Sequence, residues 1–93
     1  MIKLIRRYNE LTIDQVAELT AISRTSIVDA EQGRRQAGMP LIAFYAQRMK
    51  CDVDELERIV NYNGPSKVKR TLLSIMRKYL QLVVWLKGNN NLK

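Results

Sequence analysis

Apolar residues recur three and four positions apart along most of the chain, and residues that start or stop helices stand between the recurrences. Ile2, Leu4 and Ile5 fall near one face of a short helix over residues 2–8, with Lys3, Arg6 and Arg7 largely elsewhere on its circumference. Thr12 followed by Gln15 has the spacing of a reciprocal N-terminal cap and predicts a second helix over residues 13–20. Ser23 caps a third over residues 24–31, which Gly33 can close in a left-handed conformation. Pro40 suits the first turn of a fourth helix over residues 41–49. Asp52 with Glu55 makes another capping box, for a fifth helix over residues 53–60. No stretch reads as a strand, so the chain is predicted to be all-α.

The pattern then breaks. Residues 61–65 are turn-rich, Ser66 is a good cap, and a long helix is predicted over residues 67–87, ending at Gly88 before a frayed polar tail over residues 89–93. On this helix Val68, Leu72, Ile75, Tyr79, Leu82 and Leu86 alternate four and three apart. A second stripe of Leu73, Met76, Leu80 and Val83 runs beside the first, making an apolar face too wide for one neighbour. The expectation is that one stripe packs on the helix's own domain and the other on a second subunit. The interface would draw on Leu72, Ile75, Tyr79, Leu82, Val83 and Leu86, with Tyr79 and Trp85 as anchors. Two weaker alternatives are that the helix only completes a monomeric core, or that it lies on a membrane surface, for which Trp85 is the main sign.

The second and third predicted helices are separated by only about three residues. Such a corner needs a small residue where the helices touch, a small residue in the turn and an aliphatic residue on the buried side of the second helix. Ala17, Ala21 and Ile27 meet those needs, and Val16, Leu19, Ile22 and Ala30 add apolar contacts.

In these residues the chain resembles the phage-repressor, Cro and Xre-type helix-turn-helix DNA-binding proteins. The matches keep one register over about residues 2–57. They comprise Leu11-Thr12, Val16-Ala17-Glu18, Ile22-Ser23-Arg24-Thr25-Ser26-Ile27, Glu31-Gln32-Gly33-Arg34-Arg35 and Val53-Asp54-Glu55-Leu56. The resemblance implies a five-helix lambda-repressor-like domain over residues 1–60, and the pattern along the chain adds the 61–65 linker and the C-terminal amphipathic helix over residues 66–88. It also departs from the family in three places. Ile13 stands where the family has a phosphate-touching glutamine, and Ala21 and Lys50 stand where it has glycines, so each of these two must adopt a left-handed backbone or relax the local geometry.

With Ile27 and Ala30 turned to the core, Arg24, Thr25, Val28 and Asp29 are expected to face outward, at the positions where the family reads bases. Arg24 is the leading candidate, because a guanidinium can pair bidentately with guanine O6 and N7. Asp29 would accept from a cytosine amino group or orient Arg24, and Thr25 and Val28 would touch thymine methyls. The competing reading of Arg24 and Asp29 is a solvent-exposed intrahelical ion pair. Phosphate positioning is assigned to Thr12, Gln15, Ser23, Arg34 and Arg35, through helix N-termini and the two cations. Arg6 and Glu31 resemble a structural pair of the family, which bonds the first helix to the end of the third.

Charge sharpens the picture through its distribution. Residues 1–63 hold nine Lys/Arg and all nine acids, and the whole excess of +7 comes from Lys67, Lys69, Arg70, Arg77, Lys78, Lys87 and Lys93. That distribution fits a polyanionic partner. There is no histidine, one cysteine, no glycine-rich phosphate loop and no metal-ligand cluster, so neither an enzyme nor any cofactor or metal is expected. Met1, Ile2 and Lys3 lead straight into a charged segment and Cys51 is the sole cysteine, which predicts a cytoplasmic protein without a membrane span; the resemblance implies that it is bacterial or phage-encoded and nucleoid-associated when bound. Together these features predict a dimeric DNA-binding regulator, a repressor of mobile-element type on a near-palindromic operator. The rivals are an autorepressing antitoxin whose added segment binds a toxin, and a protein-binding adaptor that does not bind DNA; the C-terminal helix is the expected contact for a protein partner, a toxin or an antirepressor.

Overall fold

The structure, a computed structural model, describes the backbone of residues 1–91 and the side chains of residues 1–85. Among the described residues it is all-helical: α1 (Ile2–Tyr8), α2 (Ile13–Thr20), α3 (Arg24–Glu31), α4 (Met39–Met49), α5 (Val53–Val60) and α6 (Ser66–Asn91). The chain divides into two compact units, Met1–Tyr62 and Asn63–Lys93.

Local chemistry fixes most helix ends. Thr12 Oγ1 accepts from the Gln15 amide at 3.1 Å while Gln15 Oε1 accepts from the Thr12 amide at 2.8 Å, closing both halves of the box that starts α2. Ser23 Oγ accepts from the Ser26 amide at 3.2 Å to start α3. Asp52 accepts from the Glu55 amide at 3.0 Å to start α5. Ala21 (φ 59°) and Lys50 (φ 55°) end α2 and α4 in the left-handed region, the first of the two outcomes expected at these positions. Glu10 (φ 57°), after α1, does the same without any sequence signal. The fourth helix starts two residues earlier than its pattern indicates. Gly38 is extended (φ −73°, ψ 160°) and serves as the N-cap, and Pro40 still falls in the first turn, where its missing N–H has no helical partner to lose.

In the first unit α4 is the most enclosed element, contributing Leu41, Ile42, Tyr45, Ala46 and Met49 to the core. Ile5, Val16, Ile27, Ile42 and Tyr45 retain no exposed surface, so α1, α2, α3 and α4 each place at least one side chain in the centre. Each such aliphatic side chain contributes roughly 1.5–3 kcal/mol by leaving water. Leu19 departs from expectation: it does not support the α2–α3 crossing but is 61% exposed. It lies about 60° around the helix from Val16, on the side opposite Ala17, and so turns off the buried stripe.

Two polar ties complete the first unit. Arg6 Nε and Nη2 donate to the Glu31 carboxylate at 2.7 and 3.1 Å and Arg6 Nη1 donates to the Leu11 carbonyl at 3.0 Å, joining α1, the following loop and α3. Asn61 accepts from the Ala37 amide and donates to the Ala37 carbonyl, each at 3.0 Å, so a residue just past α5 clamps the loop before α4.

The second unit is dominated by α6, which runs through Gly88, the expected stop, to Asn91. A single interior glycine costs about 1 kcal/mol relative to alanine, too little by itself to end a helix. Of the proposed interface, Ile75 and Leu82 are exposed and Leu72, Tyr79 and Val83 are partly exposed, while the Leu86 side chain lies outside the described residues, as do residues 92–93 of the expected tail. Among the described residues no helix is long and apolar enough to cross a membrane.

Candidate nucleic-acid interface

The corner between α2 and α3 is built from three residues whose backbone has little freedom. Thr20 Oγ1 donates to the Val16 carbonyl at 2.7 Å and accepts from the Ile22 amide at 3.2 Å, so one hydroxyl ties the last turn of α2 to the connection. Ala21 turns left-handed, and Ser23 is extended (φ −63°, ψ 144°) before the chain enters α3. Ile27, fully buried, fixes which side of α3 faces inward. The first turn of α3 consequently presents Arg24 and Thr25 to solvent.

The other two expected reading residues sit differently. Val28 is partly buried and lines a shallow groove with Lys3, Ile13 and Gln32, on the side of α3 toward α1 and α2. The Asp29 side chain is only 19% exposed, and its oxygens lie 3.6 Å from Arg34 Nη1 and 3.8 Å from Arg35 Nη2. Asp29 therefore neither orients Arg24 nor forms the intrahelical pair with it. It compensates one of the two positive charges in the loop after α3.

Arg24 has a different partner, Asp14 in the first turn of α2: Nη1 donates to Oδ1 at 2.8 Å. The side chains are 65% and 73% exposed, so the contact is a surface ion pair worth at most about 1 kcal/mol. That is weak enough for a stronger acceptor to displace, yet it holds the guanidinium beside the start of α2 in the free protein. Sequence inspection missed Asp14. The available signal was an acid in the first turn of α2, ten residues before the arginine that opens α3.

The residues assigned to phosphate positioning are largely engaged with one another. The Thr12 and Gln15 amides are taken by the capping box, leaving Ile13 and Asp14 to supply the unclaimed amides of the first turn of α2, beside the Asp14 carboxylate. Ser23 Oγ accepts from the Ser26 amide and donates to Ser26 Oγ at 2.8 Å, so both functions of its hydroxyl are in use. Arg34 and Arg35 remain mostly exposed, at 71% and 59% of their side chains, and Arg35 Nη1 also lies 3.5 Å from Ser26 Oγ. These two arginines flank the C-terminal side of α3, with Arg24 and Thr25 at its N-terminal side.

Behind this surface, the Arg6–Glu31 pair anchors the end of α3, with side chains only 12% and 5% exposed. The hydrogen bond to Glu31 raises the Arg6 guanidinium above its ordinary range against the opposing effect of burial. Tyr45 lies within the field of this pair. Burial, reinforced by the Glu31 charge, pushes its phenol up to about 12, and its hydroxyl has no hydrogen-bond partner.

No protein-family model, curated protein or solved structure matches this chain.

Proposed function

We propose that the protein is a sequence-specific DNA-binding regulator with a lambda-repressor-like helix-turn-helix domain, which inserts α3 into the major groove and reads bases chiefly through Arg24 and Thr25. The observation that carries this reading is the α2–α3 corner: two eight-residue helices joined by three residues, with Ile27 buried behind and Arg24 and Thr25 exposed in front. A major groove about 12 Å wide accepts a helix presented in this way. Arg34 and Arg35 position the domain on the phosphates and Asp29 tempers their charge. Exposed Ile75 and Leu82 on the heptad stripe of α6 support association with a second copy, and the dimer reads a near-palindrome with half-sites about one helical turn apart. The protein acts without a cofactor and catalyses no reaction.

Selection of bound fragments from genomic DNA, followed by footprinting, tests the reading. Arg24→Ala should lose about 1–3 kcal/mol of discrimination at one base pair of each half-site. Unchanged specificity in that variant, or no binding to any fragment, refutes the assignment. Light scattering on the full chain tests the dimer, which a monomer at micromolar concentration would refute.

A further inference from the structure

Charge is handled in opposite ways by the two units. In the first, every cation assigned a part in the reading surface has an intramolecular carboxylate: Arg24 has Asp14, and Arg34 and Arg35 share Asp29. Acids and bases balance there, and no Asp or Glu follows Glu57. On α6, Lys67, Arg70, Arg77 and Lys78 are all exposed, and the helix itself contains no acid to pair with them. At about 100° per residue these four cations cluster on one face, together with Ser74 and Gln81, over a length of roughly 16 Å. Lys69 lies off this face. The apolar stripes centre on the opposite side of the helix, roughly 170° away.

We infer that the Lys67, Arg70, Arg77 and Lys78 face of α6 is a second phosphate-binding surface for duplex DNA, supplying sequence-independent affinity while α3 supplies selection. The inference rests on the DNA-binding reading above and adds to it a source for the bulk of the electrostatic attraction. Two features favour a duplex over a bilayer. A helix lying in a lipid surface carries its tryptophan on the apolar side, whereas Trp85 shares the basic face, and Met76 and Leu80 on the apolar side are already buried and so not available to enter lipid. With the faces opposed, the exposed Ile75 and Leu82 stripe can meet a protein while the basic side meets a polyanion. Trp85, the one tryptophan, is 59% exposed and lies on the basic face seven residues beyond Lys78. It offers an intrinsic fluorophore on that surface.

The test compares the full chain with the variant Lys67→Gln, Arg70→Gln, Arg77→Gln, Lys78→Gln on a random-sequence duplex between 50 and 200 mM salt, by anisotropy of a labelled duplex and by Trp85 emission. Four neutralised contacts should reduce the slope of log affinity against log salt by about 3 to 4. The electrostatic part they supply corresponds to on the order of 100-fold in affinity across that salt range. Glutamine is a good helix former, so α6 is expected to persist. If the quadruple variant loses helicity, the four single substitutions replace it, each expected to reduce the slope by about one. Duplex binding with an unchanged slope overturns this inference and leaves the reading of α3 intact. No binding of the wild type to duplex at 50 mM salt overturns both. Preferential binding to vesicles of one part phosphatidylserine to three parts phosphatidylcholine, with Trp85 emission shifting there and not on duplex, overturns the inference in favour of a lipid surface.

Discussion

Replacing Tyr45 by phenylalanine should make this protein more stable. Tyr45 sits on α4 with no exposed surface, its ring packed edge-on against Phe44 at 5.2 Å, while its hydroxyl lacks a partner. A buried unsatisfied hydroxyl costs about 1–3 kcal/mol, and Tyr45→Phe removes it while leaving the ring and its contacts in place. Allowing for the small void left by the oxygen, the net gain is about 1 kcal/mol, or about 4–8 °C in a melt of a chain this size. The measurement is thermal unfolding at pH 7 followed by helical circular dichroism. Tyr45 also gives the variant a pH signature. Its phenol stands at about 12 in the folded state against 10 ordinarily, so the folded state holds the proton more tightly. The associated stability is complete below pH 10 and is lost as pH rises toward 12, amounting to about 2 to 3 kcal/mol. Other groups titrate in that range too, so the quantity to read is the difference between wild type and variant. Tyr45→Phe should lose stability less steeply above pH 10. A variant that melts several degrees lower would show that the hydroxyl is satisfied, and an alkaline limb parallel to the wild type would show that folding does not raise the phenol; either result refutes the argument.

Three further outcomes follow from the geometry. Glu31→Gln leaves the nearly buried Arg6 guanidinium without its counter-charge and should cost about 3 kcal/mol in urea unfolding, whereas the apolar pair Arg6→Met with Glu31→Leu should cost less than the two single changes added together. Asp29→Asn releases Arg34 and Arg35 from their shared carboxylate and should tighten binding to random duplex several-fold, steepening the salt slope by about one, with little effect on melting. Lys50→Gly relieves a left-handed residue at the end of α4 and should raise stability by about 0.5–1 kcal/mol, measured by the same urea titration.

The helix starts were legible because they are written in adjacent residues. Thr12 with Gln15, Ser23 with the Ser26 amide, and Asp52 with the Glu55 amide each close within one turn. The left-handed ends at Ala21 and Lys50 were legible only through the resemblance, which has glycines at both positions, and nothing in the alanine or the lysine itself signals them. Contacts across elements were harder to read. Asp29 points to Arg34 and Arg35 because the loop after α3 folds back, and neither helical periodicity nor cap spacing encodes a loop's path. Arg24 meets Asp14 because the corner sets two first turns side by side, a consequence of crossing geometry. Leu19 satisfies an apolar pattern and still faces outward, because a short helix with one buried stripe has room for only part of its apolar set. The start of α4 was misplaced because a proline is acceptable at either of the first two helical positions, and only the backbone of Gly38 decides between them.

The clamp between Asn61 and Ala37 gives the first unit a mechanical property. Asn61 is the second-to-last residue before the chain passes into the second unit, and its side chain grips the peptide of a residue 24 positions earlier. Ala37 lies two residues beyond Arg35, so a displacement of the chain at Asn63 has a short load path to the arginine loop, through two 3.0 Å hydrogen bonds instead of the intervening backbone. Tension on the last turn of the first unit is therefore carried to the loop that holds Arg34 and Arg35, and Asn61→Ala would cut that transmission while leaving both ends of it in place.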